Sequence, residues 1–291
     1  MREDEPRRGR ADRDARVSRR SFLRLAAGGA ALAVGGRAVA NAYTFDVHTT
    51  TRLLGRPLAP LRVALLCDLH YGPYIRAASV DAWVDATLAG RPDLVLIAGD
   101  LVDRAVGADV RALVARLARL RAPLGVFATW GNHDHSSRLD LERFAAELAT
   151  AGIEVLTNRG RVVGGLYLAG IDDWRAGRPD VSAALADRPA DLPCLLVSHN
   201  PDALPHVPTD VDLTVAGHTH GGQVCPPGIG PLYTSSAYGR RFAEGWVRGP
   251  ALGYVSRGLG VGWLPVRVGC PAELTLIDLE GQDNERGSTT G

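Results

Sequence analysis

The sequence predicts an α/β fold with mixed β-sheets, because short apolar runs alternate with segments of helical period along its 291 residues. Residues 94–98 are a continuous apolar run, and residues 61–67 are apolar except for Arg62, the pattern typical of strands buried on both faces. Residues 110–120 place Val and Leu on one face at the spacing of a helix. The hydrophobic content of 46% is ordinary for a globular protein.

The elements follow one another in order from residue 43. Polar and apolar side chains alternate over residues 43–51, which predicts an outer strand before a turn-rich link at 53–60. Further strands are predicted at residues 61–67, 94–98, 125–129, 154–156, 161–163, 166–171, 195–197, 213–216, 251–256 and 273–279. Helices are predicted at residues 77–89, 107–120 and 139–151. No composition break divides residues 43–280, so we expect one domain there and a polar, disordered tail at 281–291.

Charge is unevenly distributed between the first 42 residues and the rest. Residues 1–42 hold 10 Arg against 5 acidic residues, a net charge of +5, whereas the remainder holds 23 basic and 27 acidic residues, a net charge of −4. Nonspecific nucleic-acid binding requires clustered positive charge. The predicted domain is therefore a poor candidate for it.

The first 42 residues resemble a twin-arginine export signal. Arg19 and Arg20 precede the weakly apolar residues 25–36, a run too short to span a bilayer, which takes about 20 apolar residues. Residues 38–40 and 40–42 both resemble small-residue cleavage sites. We therefore expect the export machinery as a partner and a location outside the cytoplasm, at the cell wall or membrane surface. The alternative is a disordered basic tail on a cytosolic protein.

Side chains that commonly bind metals follow five of the predicted strands. They are Asp68, His70, Asp100, Asn132, His199, His218 and His220. A single one of these residues is more often hydrogen-bonded in a loop or caps a helix. The joint pattern is more specific, because five of the 8 histidines lie just after apolar runs beside another ligand type. Carboxyl ends of neighbouring strands meet at one edge of an α/β sheet, so these side chains can converge.

The four cysteines include no CxxC pair, which argues against a zinc knuckle. Cys67 and Cys194 fall in predicted core strands, where a buried free thiol is the expected state. Cys225 and Cys270 are able to form a disulfide after export if they lie close together. The sequence leaves their pairing open.

The ordered motifs resemble the calcineurin-like metallophosphoesterase superfamily over roughly residues 45–280. The blocks are Asp68-Leu69-His70, Gly99-Asp100 with Asp103, Gly131-Asn132-His133-Asp134, His199, and Gly217-His218-Thr219-His220. The segments at 198–202, 217–223 and 256–260 resemble the branch of twin-arginine-exported bacterial phosphodiesterases, and are similar to enzymes that cleave a lipid-linked pyrophosphate. The resemblance implies a four-layer sandwich in which two packed mixed β-sheets are flanked by helices.

The resemblance also implies a role for each residue of a site with two divalent ions, Mn, Fe or Zn. Asp68, His70, Asp100 and His220 would hold the first ion, and Asp100, Asn132, His199 and His218 the second. A metal-bridged hydroxide then attacks phosphorus. His133 would act on the leaving oxygen as the general acid or as a cationic stabiliser of the developing alkoxide, and Asp103 would orient it. The alternative for Asp103 is helix capping or solvent exposure.

The substrate is less defined than the reaction. Arg240, Arg241 and Arg257 are candidate phosphate contacts, and ordinary surface charge is an equal alternative. The main hypothesis is a phosphodiesterase or phosphatase acting on a small-molecule or lipid-linked phosphoester. One alternative is a lipid-linked or nucleotide-sugar pyrophosphatase at the membrane surface, with residues 260–265 as a peripheral apolar contact. The other is a noncatalytic metal-binding envelope protein.

Overall fold

A computed structural model of the chain describes residues 35–103 and 110–282. The chain divides into two units, Met1–Arg37 and Ala38–Gly291, and of the first unit only residues 35–37 are described. The predicted arginine pair Arg19-Arg20, most of the apolar run 25–36, the start of the predicted helix 107–120 and most of the predicted tail lie outside the described residues. None of the helices in the described ranges combines the length and apolar character that crossing a membrane requires.

The described part of the chain contains twelve strands in two sheets of six. In chain order they are β1 Phe45–Leu53, β2 Leu61–Leu66, β3 Leu94–Ala98, β4 Val126–Thr129, β5 Ile153–Val155, β6 Arg159–Val163, β7 Leu166–Gly170, β8 Cys194–Val197, β9 Leu213–Ala216, β10 Gly245–Arg248, β11 Leu252–Val255 and β12 Ala272–Glu280. The helices after β1 are α1 Ala77–Ala89, α2 Val110–Leu117, α3 Asn132–Ser136, α4 Leu141–Thr150 and α5 Val181–Leu185. Short 3-10 turns occur at Pro201–His206, His220–Gly222 and Gly239–Phe242.

Both sheets are mixed, and each has a parallel centre. The first has the order β1-β12-β2-β3-β4-β5, in which β2 to β5 are parallel and β12 runs antiparallel to β2. The second has the order β10-β11-β9-β8-β7-β6, in which β11, β9, β8 and β7 are parallel. Parallel strands joined through helices end at one edge of the sheet. Residues that follow these strands can therefore meet.

The alternation of side chains along the central strands shows why their sequences are mainly apolar. Val63 and Leu65 of β2 pack between the two sheets, whereas Ala64 and Leu66 pack toward the helices. Successive strand residues point to opposite faces, so a strand with both faces covered needs a continuous apolar run. The prediction of two packed mixed sheets flanked by helices is confirmed.

The predicted elements differ from the structure mainly in short segments. Strand β10 and helices α3 and α5 were not predicted, because each is only four or five residues long and lacks an apolar period. The predicted outer strand is an edge strand, since β1 pairs only with β12 in its sheet. Ala38 and Ala42, which fall within the predicted cleavage sites, are buried in the second unit.

Candidate active site

The seven predicted metal ligands lie in one buried group at the carboxyl ends of strands from both sheets. Asp68 and His70 follow β2, Asp100 follows β3, Asn132 begins α3 directly after β4, His199 follows β8, and His218 and His220 follow β9. All seven are at most 9% exposed. The parallel centres of the two packed mixed sheets thus bring together residues that are up to 152 positions apart in the sequence.

One set of ligand atoms surrounds a point between β2 and β9. The Nε2 atoms of His70 and His220 lie 3.1 Å apart. The Asp68 Oδ1 atom lies 4.0 Å from His70 Nε2 and 3.7 Å from His220 Nε2. Asp100 Oδ2 completes the set at 3.4 Å from His70 Nε2. These four residues are the ones that the resemblance assigns to the first ion.

A second set lies on the other side of the same Asp100 oxygen. His199 Nε2 is 3.3 Å from Asp100 Oδ2, 3.2 Å from Asn132 Oδ1 and 3.1 Å from His218 Nδ1. The other carboxylate oxygen, Asp100 Oδ1, accepts a hydrogen bond of 2.7 Å from the His133 backbone amide. Asp100 therefore presents a single oxygen, Oδ2, to both sets.

The separations within each set fit metal coordination. Two ligand atoms bound at about 2.1 Å to one ion lie about 3.0 Å apart at a right angle and about 3.4 Å apart at the tetrahedral angle. Most of the measured separations, 3.1–3.4 Å, fall in this range. Asp68 Oδ1 lies slightly farther from the two histidine nitrogens, at 3.7–4.0 Å, which corresponds to a wider angle between the ligand atoms at the ion. The oxygen and imidazole donors, without thiolate, suit Mn, Fe or Zn.

The backbone of this site is held in an unusual conformation. Positive φ angles occur at Asp68 (55°), His70 (47°), Asp100 (51°), His218 (71°) and His220 (52°). Residues other than glycine rarely adopt this region, and each such residue costs about 1–3 kcal/mol. Five of the seven proposed ligands are thus strained, and such strain is typical of functional sites.

Hydrogen bonds and close packing hold the carboxylates in place. Both Asp68 oxygens lie 3.0 Å from the backbone amide of His218, which donates to them. A Cβ atom at Gly217 or Gly258 would lie 2.5 or 2.6 Å from Asp68 Oδ2, so glycine is needed there. Buried Asp134 accepts hydrogen bonds from the amides of Gly131 (2.8 Å) and Val102 (3.1 Å). Asp134 thereby joins the turn after β3 to the turn after β4.

The buried carboxylates have shifted pKa values in opposite directions. Burial raises the pKa of Asp68 to about 7, although His199 opposes the change. Burial also disfavours ionised Asp100, but attraction and hydrogen bonding to His199 outweigh it, and its pKa is well below the usual range. Burial, with repulsion from Asp100, raises the pKa of Asp134 to about 7. Asp100 is therefore the permanent negative charge between the two sets.

Three of the four ligand histidines are held neutral. Burial lowers the pKa of His70 to about 4 and that of His218 to about 3, and it lowers the pKa of His220 well below its usual range. For His199, the attraction of Asp100 outweighs burial and raises the pKa. A neutral imidazole offers the lone pair that a metal requires. The buried nitrogens His70 Nδ1 and His218 Nε2 make no hydrogen bond within the described residues.

His133 and Asp103 form a pair at the edge of this group. His133 Nδ1 lies 2.9 Å from Asp103 Oδ1. The His133 ring also packs edge-on to the ring of His70, with centroids 4.5 Å apart. His133 belongs to a further group, with His70 and Asp100, whose ligand atoms lie within 4.8 Å of one another. The geometry therefore allows a proton-transfer role and leaves His133 within reach of a metal.

A cavity of about 740 Å³ opens over the site, and His133, Asn132, His218 and His220 line it. Arg240, Arg241 and Arg257 are not among its lining residues. Arg257 instead pairs with Glu273 at 2.7 Å and Glu244 at 3.3 Å. Arg175, which the sequence prediction missed, does line the cavity. Its position depends on how the loop after β7 folds over the site, which no local pattern reveals.

Arg267 is a second residue that the sequence prediction missed, and it is fully buried. Its guanidinium donates to the carbonyls of Arg257, Gly258, Gly260 and Cys270 at 2.7–3.2 Å. It also approaches His220 Nδ1 at 3.3 Å. Arg267 thus fixes the loop that packs against Asp68 and His220. A single Arg in a Gly-rich segment gives no sequence signal for this role.

Cys225 and Cys270 are both free thiols that sit against the turn carrying His220. Cys270 Sγ donates to the carbonyl of His220, and Cys225 Sγ to that of Gly221, each at 3.1 Å. Burial raises the pKa of Cys270 to about 12 and also raises that of Cys225. Cys67 and Cys194 are free and buried.

Comparison with known proteins agrees with this geometry. The family model described as calcineurin-like phosphoesterase matches residues 61–222, more than half of the chain. The chain therefore belongs to this family, and it is a metal-dependent phosphoester hydrolase.

Two bacterial relatives align with most of the chain. It is 29% identical to the uncharacterized metallophosphoesterase YkuE of Bacillus subtilis (strain 168), over 91% of this chain and 98% of that protein. It is 30% identical to the phosphodiesterase YaeI of Escherichia coli (strain K12), over 76% of this chain and 83% of that protein. Other relatives are longer: the chain spans 53% of a Bos taurus transmembrane protein with a metallophosphoesterase domain.

Proposed function

We propose that this protein is a phosphodiesterase of the cell envelope that uses two divalent metal ions. The observation that carries the proposal is the shared Asp100 oxygen, which lies 3.4 Å from His70 Nε2 and 3.3 Å from His199 Nε2. One carboxylate oxygen shared by two sets of metal-binding side chains is the arrangement that two neighbouring cations need. The similarity to YaeI, a phosphodiesterase by name, supports the choice of substrate class.

The two sets divide the ligands between the ions. Asp68, His70 and His220 would hold the first ion, Asn132, His199 and His218 the second, and Asp100 both. When bound, two divalent ions supply an acidified water as the nucleophile and neutralise charge on the phosphate oxygens. The strained backbone keeps the donor atoms in place without the reorganisation that a flexible site would require.

His133 would transfer a proton to the leaving oxygen. The Asp103 carboxylate, 2.9 Å from His133 Nδ1, holds the ring and favours the protonated imidazole. Nε2 is then the nitrogen that exchanges a proton with the substrate. A pair of this kind has no use in metal storage, and family membership likewise favours the hydrolase over a noncatalytic metal-binding protein.

The test is hydrolysis by purified protein loaded with Mn, Fe or Zn. We expect about two ions per chain and faster cleavage of bis(p-nitrophenyl) phosphate than of p-nitrophenyl phosphate. A chelator should abolish turnover, and returning the metal should restore it. Protein that binds metal and hydrolyses neither ester would refute the proposal.

A second candidate substrate class is favoured by an apolar rim around the cavity. The rim consists of Leu232, Tyr233, Trp263 and Leu264, which line the cavity and are 61%, 68%, 80% and 59% exposed. Exposed apolar patches commonly mark binding surfaces. A lipid-linked pyrophosphate would place its diphosphate at the ligands and its chain against this rim, with peripheral membrane contact.

Two variants test the rim. Trp263→Ala with Leu264→Ala should reduce turnover of a lipid-linked pyrophosphate dispersed in vesicles and leave a soluble nucleotide sugar unaffected. The exposed pair Val47→Ala with Leu53→Ala, on β1, is the control. Equal rates with the lipid substrate in the rim variant and the control would exclude this candidate.

We also propose export of the protein through the twin-arginine pathway. The sequence of residues 18–42 supports it, with the arginine pair, apolar run and small residues in order. Export by this route would carry the folded enzyme with its metals already bound. Ala38 and Ala42 are buried in the second unit, so the last residues of the export signal would also be part of the folded domain.

A further inference from the structure

We propose that Arg175 is the substrate-anion contact of the cavity. The two ions would bind two oxygens of the substrate phosphate, and Arg175 would bind one further anionic oxygen. That oxygen would be the third oxygen of a phosphomonoester or an oxygen of a neighbouring phosphate. The inference rests on the proposed phosphoesterase site and adds a contact for substrates that carry a second negative charge.

The first observation is the position of Arg175. The loop after β7 places Arg175 and Ala176 along the cavity wall, in the same cavity as Asn132 and His218. Within residues 35–103 and 110–282, Arg175 is the one arginine that lines this cavity, and the chain contains no lysine. Of the residues that the structure describes, Arg175 is therefore the permanently charged cation that a substrate phosphate in this cavity would meet.

The second observation is that the charge of Arg175 is uncompensated. Among the described residues no carboxylate lies within the 4.0 Å ion-pair distance of its guanidinium, and the side chain is exposed. By contrast, Arg257 is paired with two glutamates. An arginine whose fork has no carboxylate partner in the protein is suited to bind phosphate oxygens from solution.

The third observation is that the backbone carrying Arg175 is firmly held. The Asp173 carboxylate accepts hydrogen bonds from the amides of Arg175 (2.9 Å) and Ala176 (2.6 Å). The Asp172 carboxylate accepts from the amides of Asp173 and Arg178, each at 2.8 Å. Two buried aspartates thus hold this loop in one shape, which lowers the entropy cost of using its arginine.

The fourth observation links this loop to the catalytic helix. His135 Nε2 on α3 lies 2.6 Å from Asp172 Oδ1. Helix α3 also carries Asn132 and His133. The contact between His135 and Asp172 therefore connects the loop that carries Arg175 to the helix that carries Asn132 and His133.

The experiment compares two esters with the same leaving group, p-nitrophenyl phosphate and methyl p-nitrophenyl phosphate, which differ by one negative charge. A nucleotide sugar, which has a second phosphate next to the first, is the third substrate.

Arg175→Ala should lower kcat/KM by about 10- to 100-fold for at least one doubly charged substrate, which is the scale of a lost charge-assisted contact. The methyl ester should lose less than about 3-fold. If kcat/KM falls with the monoester alone, Arg175 binds the third oxygen of the phosphomonoester. If it falls with the nucleotide sugar alone, Arg175 binds the neighbouring phosphate.

Control variants separate this role from folding. Arg178→Ala, in the same loop and outside the cavity, should keep the wild-type rates for all substrates. Arg175→Lys should recover part of the loss. Equal losses on all three substrates, or none on any, would overturn the proposal.

Binding of inorganic phosphate to the metal-loaded protein, followed by calorimetry, gives a readout that needs no turnover. Affinity should fall in Arg175→Ala and stay unchanged in Arg178→Ala. Wild-type protein that binds phosphate through Arg175 yet hydrolyses no ester would contradict the proposed function and leave Arg175 as the anion contact. Unchanged phosphate affinity in Arg175→Ala would overturn the anion contact.

Discussion

His70 and His220 point their Nε2 atoms at each other across 3.1 Å in a buried pocket. Burial lowers the pKa of both rings, that of His70 to about 4, so both are neutral at pH 7. Two facing lone pairs repel unless a hydrogen or a cation lies between them. With Asp68 and Asp100 beside them, a cation is the partner that satisfies the whole group.

The ligand assignment predicts that metal and activity are lost together. Asp100→Asn and His218→Ala each remove a proposed ligand, and loss of a ligand weakens the site directly. Metal analysis should show less than full occupancy in both variants, with turnover falling in parallel. His48→Ala, an exposed histidine on β1, is the control. Full occupancy with two ions in both ligand variants would refute the assignment.

The role of His133 predicts a dependence on the leaving group. His133→Ala should keep both metals and lose about 10²- to 10⁴-fold in rate on alkyl esters, which need a protonated leaving oxygen. The loss should be smaller on nitrophenyl esters, whose leaving groups need less protonation.

Asp103→Asn should follow the same trend more weakly, because it acts through His133 Nδ1. Equal losses on both types of ester would argue against an acid. Loss of metal from His133→Ala would make His133 a ligand, which its distance from His70 and Asp100 allows.

The sequence was sufficient to predict the fold class and to group the ligands, and the reason is physical. Strands such as β2 and β3 are covered on both faces, so their sequences are mainly apolar, and polar residues directly after them stand out. The pairing of β1 with β12 joins residues more than two hundred positions apart, and it has no local signal.

Arginines could not be assigned in the same way. Arg175 and Arg257 lie in loops, and Arg240 and Arg241 lie in the short 3-10 turn Gly239–Phe242, so none of them belongs to a strand or an α-helix with an apolar period. Whether a guanidinium reaches the cavity, pairs with a glutamate or is buried, as in Arg267, depends on loop packing and the final position of distant carboxylates. The prediction therefore selected three arginines outside the cavity.

The export proposal predicts that the arginine pair is essential. Changing Arg19→Lys and Arg20→Lys together should leave the precursor in the cytoplasm, because the pathway recognises the pair itself. The adjacent Arg7 and Arg8 form a second pair, and changing both to Lys is the matched control. Fractionation with an antibody to the folded domain measures the outcome. Normal export of the Arg19/Arg20 variant would show that another route is used.

The contact between His135 and Asp172 predicts a specific pH dependence of stability. The hydrogen bond to Asp172 raises the pKa of His135 above 6.5. Burial disfavours ionised Asp172, but its hydrogen bonds from His135 and the backbone outweigh this, so its pKa falls below 3.8. His135 therefore contributes stability fully below pH 6.5 and loses it as pH rises through its folded pKa. Asp172 contributes above pH 3.8 and loses its contribution as pH falls through its folded pKa.

His135→Gln should accordingly destabilise the protein more at about pH 5.5 than at about pH 9. We expect a difference on the order of 1 kcal/mol, since the pair is partly screened by solvent. Urea unfolding of both proteins in the presence of a chelator measures it without a contribution from bound metal. In an Asp172→Asn background the same change at His135 should lose its pH dependence, because the charged partner is absent. A destabilisation that is equal at both pH values would mean that folding does not raise the pKa of His135 and that its contact with Asp172 contributes no pH-dependent stability.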